Sequence, residues 1–161
     1  MKEVYEFLKK SGVYRMSSAK YDSLKLENQL CFPLYAASRE IIKQYKPFLD
    51  EIDLTYTQYI AMMLLWEKKS LTVKKMGEYL YLDSGTLTPL LKKLESKGLV
   101  TRTRSTEDER NLNVAITEQG ERLKEQALKV PVQMAQCSRL EPEEAAQLYR
   151  ILYKMLGKAE E

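Results

Sequence analysis

Cys31 and Cys137 are the only two cysteines in the chain, and no histidine accompanies them. Without an imidazole there is no histidine-based triad, no zinc-protease site and no imidazole general base. Two thiols from one chain make neither a four-thiolate zinc site nor an iron–sulfur cluster. No metal and no cofactor is therefore expected. What remains for each thiol is inert packing or redox chemistry. The thiolate is the reactive form, and its attack on a peroxide oxygen leaves a sulfenic acid. Two cysteines in 161 residues are too few for a disulfide-stapled secreted fold.

Charge gives the second candidate. The net charge is +3, from 26 Lys+Arg and 23 Asp+Glu, but the distribution is uneven. Lys92, Lys93, Lys97, Arg102, Arg104 and Arg110 crowd one segment, while Glu141, Glu143, Glu144, Glu160 and Glu161 make the tail acidic. A local basic segment suits a nucleic-acid contact face. Alone such a cluster is more often a solvated helix face. The apolar fraction of 44% is enough for a core. The run Ile60 to Trp66 is too short to span a bilayer, and the start of the chain has no signal-peptide stretch. No membrane partner is expected, and the expected location is cytoplasmic, where thiols stay reduced.

The elements that position these residues are mostly helices. Residues 1–24 read as a separate N-terminal arm, broken at Ser11-Gly12. From Leu26 to about Leu49, Leu30, Leu34, Ala37 and Ile41 recur at helical spacing. Pro33 prefers the first turn of a helix, which puts Cys31 near a helix N-terminus or else at a kink. At a helix N-terminus the dipole favours a thiolate. Pro47 marks a second interruption, and another helix is expected over 57–67.

Ser70-Leu71-Thr72 then opens a short helix through Leu80, and Tyr81 to Gly85 make a turn. A second helix follows to Lys97 with Leu87, Leu90, Leu91 and Leu94 inward. It ends at Gly98, and Pro89 fixes its start near Ser84–Thr86. Two short helices joined by a tight turn form a helix-turn-helix. After Gly98 the period changes to 2, over 99–104 and again over 113–117, with a polar stretch between. That is a two-stranded wing. Thr117 caps a helix that Pro131 breaks. A last helix, about 143–157, puts Ala145, Leu148, Leu152, Met155 and Leu156 on one stripe. The expected fold is mainly α, a winged helix-turn-helix with a small β wing and a helical dimerisation region.

The strings Leu71-Thr72-Val73-Lys74-Lys75-Met76 and Leu82 to Glu95 resemble the helix-turn-helix of MarR-type transcription regulators. Arg104 to Arg110, closing with Ile116-Thr117-Glu118-Gln119-Gly120, is similar to the wing signature of that family. Leu26-Glu27-Asn28-Gln29-Leu30-Cys31-Phe32, with Tyr35, Tyr45 and Tyr56, resembles its organic-hydroperoxide-sensing (OhrR-like) branch. The resemblance covers roughly 24–157. It implies one MarR-type domain over 25–161, with dimerisation helices in 25–56 and 118–161 and a DNA-binding lobe at 57–117. It also implies a homodimer on double-stranded operator DNA. An apolar stripe on the tail helix suits a dimer, because a small lobe alone would leave it exposed.

On the DNA face, Thr86, Thr88 and Lys92 project from the start of the recognition helix toward bases and phosphates. Ser84 and Gly85 offer backbone N–H groups to a phosphate. Arg102 and Arg104 would add phosphate contacts. Arg110 suits the narrow minor groove, with Asp108 orienting it. For the sensor, the resemblance implies Cys31 as the oxidised residue. Tyr45 and Tyr56 would donate hydrogen bonds to its sulfur from the partner subunit, with Tyr35 nearby. Some relatives carry one cysteine and trap a small thiol, and others form an intersubunit disulfide. Cys137 is placed for the second mode, as a resolving thiol, or packs inertly. Pro33 departs from the family pattern beside Cys31.

Expected function is therefore a repressor released from its operator by organic hydroperoxide. Three other readings stay open: a MarR-type repressor released by a small aromatic acid, a thiol peroxidase using Cys31, and an interaction-only module. No strand–helix alternation of thioredoxin type surrounds Cys31, which weighs against the enzyme.

Overall fold

The computed structural model describes Tyr21 and residues 24–104 and 112–157. Asp108, Arg110 and nearly all of the N-terminal arm lie outside the described residues. The chain divides into two compact units, Met1–Gln44 and Tyr45–Glu161. The first contains a 3-10 turn, Leu26–Asn28, and the start of helix α1 (Cys31–Asp50). Cys31 is the first residue of α1, so the helix-start alternative holds and the kink does not. Pro33 lies in the first turn, where no intrahelical donor is lost.

Pro47 does not interrupt α1, contrary to expectation. The helix runs on to Asp50. The missing N–H leaves the Lys43 carbonyl without its helical partner, and Lys43 and Pro47 are both exposed, so water can take that bond.

The second unit continues with α2 (Tyr56–Lys68), β1 (Ser70–Thr72), α3 (Val73–Leu80) and α4 (Ser84–Ser96). Strands β2 (Val100–Arg104) and β3 (Leu112–Ile116) follow, then α5 (Glu118–Ala127), α6 (Lys129–Gln136) and α7 (Pro142–Met155). The helix starts are capped as their sequences suggest. Thr55 and Gln58 form a reciprocal capping box at α2, and Thr72 accepts from the Lys75 N–H at 3.2 Å. Thr117 accepts from the Gly120 N–H at 3.0 Å.

The sheet has three strands in the order β1-β3-β2, both pairs antiparallel. Ser70 faces Ala115 and Val100 faces Ile116. The β2–β3 hairpin is the expected two-stranded wing, and β1 adds a third strand that was not expected. Ser70-Leu71-Thr72 reads as a helix start because Thr72 is one; only the approach of β3 recruits the preceding residues as a strand. Three residues are too few to show a period of 2.

Helix α5 also ends earlier than expected. The break is at Leu128, and Pro131 is the third residue of α6, not the breaker. Proline is tolerated there because first-turn N–H groups have no intrahelical acceptor.

The core lies between α2, α4 and the sheet. Met62, Leu65, Met76, Leu87, Leu91, Leu94, Val100 and Val114 are all essentially inaccessible. Fully burying one such side chain stabilises by about 1.5–3 kcal/mol. The leucines of α4 recur at three- and four-residue spacing, so one face is buried and the other is left for solvent. Trp66 donates its indole N–H to the Gly120 carbonyl at 2.8 Å, which joins α2 to α5 inside the core. Gly98 has φ +71°, and the Leu99 N–H reaches the Leu94 carbonyl at 3.0 Å. This closes α4 in a left-handed turn that favours glycine and sends the chain directly into β2.

Candidate nucleic-acid interface and thiol site

Asp83 caps α4, the second helix of the helix-turn-helix. Its carboxylate accepts the Thr86 N–H at 2.9 Å and the Thr86 hydroxyl at 3.0 Å. The Thr88 hydroxyl donates to the Ser84 carbonyl at 2.7 Å. Ser84, Gly85, Thr86, Thr88 and Lys92 are all exposed along one side, opposite the buried leucines. Lys92 and Lys93 have no ion-pair partner among the described residues. Both threonine hydroxyls already spend their hydrogens within the helix, so toward DNA they present acceptor lone pairs. They therefore suit base amino groups better than phosphate oxygens.

The expected phosphate site at Ser84 and Gly85 shares its helix end with the Asp83 carboxylate. The hydrogen bonds from Thr86, backbone first and hydroxyl second, hold this carboxyl below its usual range. It is therefore ionised at neutral pH and repels phosphate. Asp83→Asn should keep the cap, since Asn caps as well as Asp, and remove the charge. Operator affinity measured by fluorescence anisotropy is expected to rise roughly threefold, as for removal of one repulsive surface charge. A fall in affinity would show that the carboxylate itself serves the interface.

Arg102 lies where the sequence put it, on β2, but it already has a partner. Its N–H, Nε and Nη2 donate to the Glu95 carboxylate at 3.2, 2.9 and 2.6 Å. Its side chain is 18% exposed. Arg104, two residues on, is exposed and unpaired among the described residues. Glu95 was not anticipated. It is i−7 from Arg102 across the Gly98 turn, a spacing with no meaning until that turn is built.

The thiol residues divide between the two units. In the first, Cys31 is exposed and free at the start of α1. Tyr35 is one turn on and Arg39 two. Arg39 Nη1 donates to the Tyr35 hydroxyl at 3.1 Å, and the guanidinium lies 5.6 Å from the ring centroid. Arg39 was also missed, although its spacing from Tyr35 is the helical i+4 that could have found it.

In the second unit, Tyr45 and Tyr56 pack with ring centroids 5.0 Å apart, and Tyr59 lies 6.1 Å from Tyr45. Burial pushes all three phenols up from their ordinary value, with mutual charge repulsion a smaller cause for Tyr56 and Tyr59. They are neutral O–H groups at any physiological pH, able to donate to an anion. Cys137 is exposed and free at the C-cap of α6. No group of three or more His, Cys, Asp or Glu among the described residues could hold a metal ion. No described helix is long and apolar enough to cross a membrane.

Residues 43–127 match the family model described as "Transcriptional regulator SarA/Rot". The organic hydroperoxide resistance transcriptional regulator of Bacillus subtilis (strain 168) is 57% identical over 85% of this chain and 93% of its own length. The chain belongs to the MarR-like SarA/Rot regulators. Within this family it falls in the organic-hydroperoxide-sensing branch. AbfR of Staphylococcus epidermidis is similar in structure, with TM-score 0.66 and 34% identity over 86% of this chain and 95% of that one. Overoxidised AbfR bound to DNA gives a TM-score of 0.68, with 86% of this chain and 98% of that one covered. Disulfide-formed AbfR gives 0.58, covering 85% and 96%. The family's members are DNA-binding transcription regulators rather than enzymes, and so is this chain.

Proposed function

We propose that this chain is a homodimeric repressor that binds double-stranded operator DNA and releases it when an organic hydroperoxide oxidises Cys31. The observation that carries the reading is the 57% identity to an organic hydroperoxide resistance regulator, in a chain whose exposed thiol opens a helix. Recognition would rest on α4, through Thr86, Thr88 and Lys92. Arg104 and the segment carrying Asp108 and Arg110 would reach the flanking groove.

Two copies are supported by apolar surface that one copy leaves uncovered. Helix α7 has no buried residue, Leu148, Tyr149, Ile151 and Met155 are exposed on it, and so is Leu156 at its C-cap. Phe32, Ile41 and Ile42 on α1 are exposed as well. A soluble monomer rarely leaves such faces bare. In the dimer, Tyr45 and Tyr56 of the partner subunit would donate to the Cys31 sulfur as neutral phenols.

The chemical step is nucleophilic. The Cys31 thiolate attacks the terminal peroxide oxygen, an S–O bond forms and the O–O bond breaks. The alkoxide leaves and takes a proton as the alcohol, and sulfur is oxidised to sulfenic acid. A second thiol then displaces water from the sulfenic acid and forms a disulfide. That thiol is Cys137 of the other subunit or a free small thiol. AbfR has been solved in a disulfide form, which supports the first option.

A gel shift on operator DNA, with and without cumene hydroperoxide, tests the whole reading. Binding that survives the oxidant unchanged would end it. Electrophoresis without reductant then separates the two thiol options. Wild type should migrate as a covalent dimer after treatment, and Cys137→Ser as a monomer. A monomer-sized wild-type band would assign the second thiol to a small molecule.

A further inference from the structure

We infer that Glu95 and Arg102 are positioning residues for operator binding: their ion pair fixes the wing to the recognition helix. The inference rests on the DNA-binding reading, and it reassigns Arg102 from a phosphate contact to a hinge clamp.

The geometry is that of a two-point lock. Glu95 belongs to the last turns of α4 and Arg102 to the middle of β2. The Glu95 carboxylate takes the Arg102 backbone N–H on one oxygen and the guanidinium Nε and Nη2 on the other. The backbone bond fixes the strand, and the guanidinium fork fixes its twist, because a planar fork holds a carboxylate in only a few orientations. On β2, Arg102 pairs with Val114 of β3, so the lock sits at mid-strand in the hairpin. Chain connectivity alone does not supply this rigidity. Between Ser96 and Val100 the chain is held by the Gly98 turn and by bonds from Thr117 and Gln119 to the Gly98, Leu99 and Lys97 carbonyls, all of which act before β2 begins, so the Glu95 bonds alone reach its midpoint from α4 among the described residues.

The same geometry explains why Arg102 is unavailable to DNA. A phosphate would have to displace a carboxylate that already makes three bonds, and the guanidinium is mostly covered. The exposed cation on the strand is Arg104, two residues farther toward the wing tip. The angle between α4 and the hairpin decides whether the wing reaches the groove beside the one α4 occupies. A small rotation at mid-strand becomes a large displacement at the tip. Loss of the lock should therefore cost wing contacts while α4 still reads its bases.

Glu95→Gln separates this role from direct contact. The variant removes a negative charge from a protein that binds a polyanion. If Arg102 served as a phosphate ligand restrained by Glu95, freeing it would leave affinity unchanged or improve it. A positioning role requires the opposite, a loss of roughly tenfold, the scale of a charge-assisted hydrogen-bond pair. Arg102→Lys keeps the cation but not the fork, and should lose a similar factor, whereas a phosphate contact would tolerate lysine.

The experiment is operator titration of the reduced full-length chain by anisotropy at fixed salt, with hydroxyl-radical footprinting of each complex. Thermal melts establish that each variant is folded. The expected result has three parts. Both single variants bind about tenfold more weakly. The double variant Glu95→Gln/Arg102→Lys is no worse than either, because partners in one interaction are not additive. Protection is lost at the outer flanks of the footprint and kept at the centre. Uniform loss of protection would indicate a merely structural role. Unchanged or tighter binding by Glu95→Gln, or losses that add in the double variant, would overturn the inference. Failure of wild type to bind at all would instead remove the DNA-binding reading on which it rests.

Discussion

Cys31→Ser is expected to bind operator DNA within about twofold of wild type and to stay bound in an excess of organic hydroperoxide. Serine is close to cysteine in size, and Cys31 is exposed, so neither α1 nor the DNA lobe should change. What it lacks is a thiolate. A hydroxyl does not reduce a peroxide, so no sulfenic acid forms and the proposed release has no trigger. Coupling between an effector site and a ligand site is typically 1–3 kcal/mol, or roughly 5- to 150-fold in affinity. Wild type should therefore weaken on oxidation by a factor in that range while the variant does not move. The measurement is paired titration before and after treatment with cumene hydroperoxide. Release of Cys31→Ser at the wild-type dose would transfer sensing elsewhere, with Cys137 the first place to look. Release by a small aromatic acid instead, with both forms indifferent to peroxide, would favour the ligand-released alternative.

Gly120→Ala is expected to be the most damaging single methyl group in the DNA lobe. A Cβ at position 120 would lie 2.2 Å from the Leu99 carbonyl oxygen and 2.8 Å from Ile116 Cγ1. That oxygen cannot retreat freely, because it accepts the Thr117 N–H at 3.1 Å. The Gly120 carbonyl in turn receives the Trp66 indole. Overpacking a core usually costs 1–3 kcal/mol and occasionally more, and here the obstacle is backbone. The net loss should be about 3 kcal/mol even after alanine's helix advantage of about 1 kcal/mol over glycine. In a chain of this length that lowers the melting midpoint by about 10 °C. Glu125→Ala, on the exposed side of the same helix, should change it by less than about 2 °C. An unchanged midpoint for Gly120→Ala would mean that α5 can shift away from the sheet at little cost.

Gly120 also illustrates how the two kinds of information divide. It stands in the sequence as the end of a string similar to a known wing signature, and nothing local explains it. Glycine in the first turn of a helix is otherwise a disadvantage. The reason lies across the fold, in the passage of Leu99 against that turn. Elements with strong local causes were legible. The leucines of α4 recur at helical spacing, Thr117 and Thr72 cap the helices they precede, and Gly98 ends α4 in a left-handed turn. Each depends on neighbours within a few residues, so the chain carries the cause and the effect together.

What the sequence by itself determined was the type of protein: a mainly helical winged helix-turn-helix with a basic recognition segment, two thiols and no histidine chemistry. Local propensity, periodicity and motif suffice for that. Only the tertiary structure decided which charges are free and which are spent. Arg102 and Arg104 look alike in sequence, yet one is locked to Glu95 and the other is exposed. Strand β1 exists because β3 lies beside it, and the three phenols are pushed up from their ordinary value because packing buries them. Hydrogen-bond partners, strand pairing and burial depend on residues far apart in the chain. Their contribution appears only when folding brings those residues within a few ångströms.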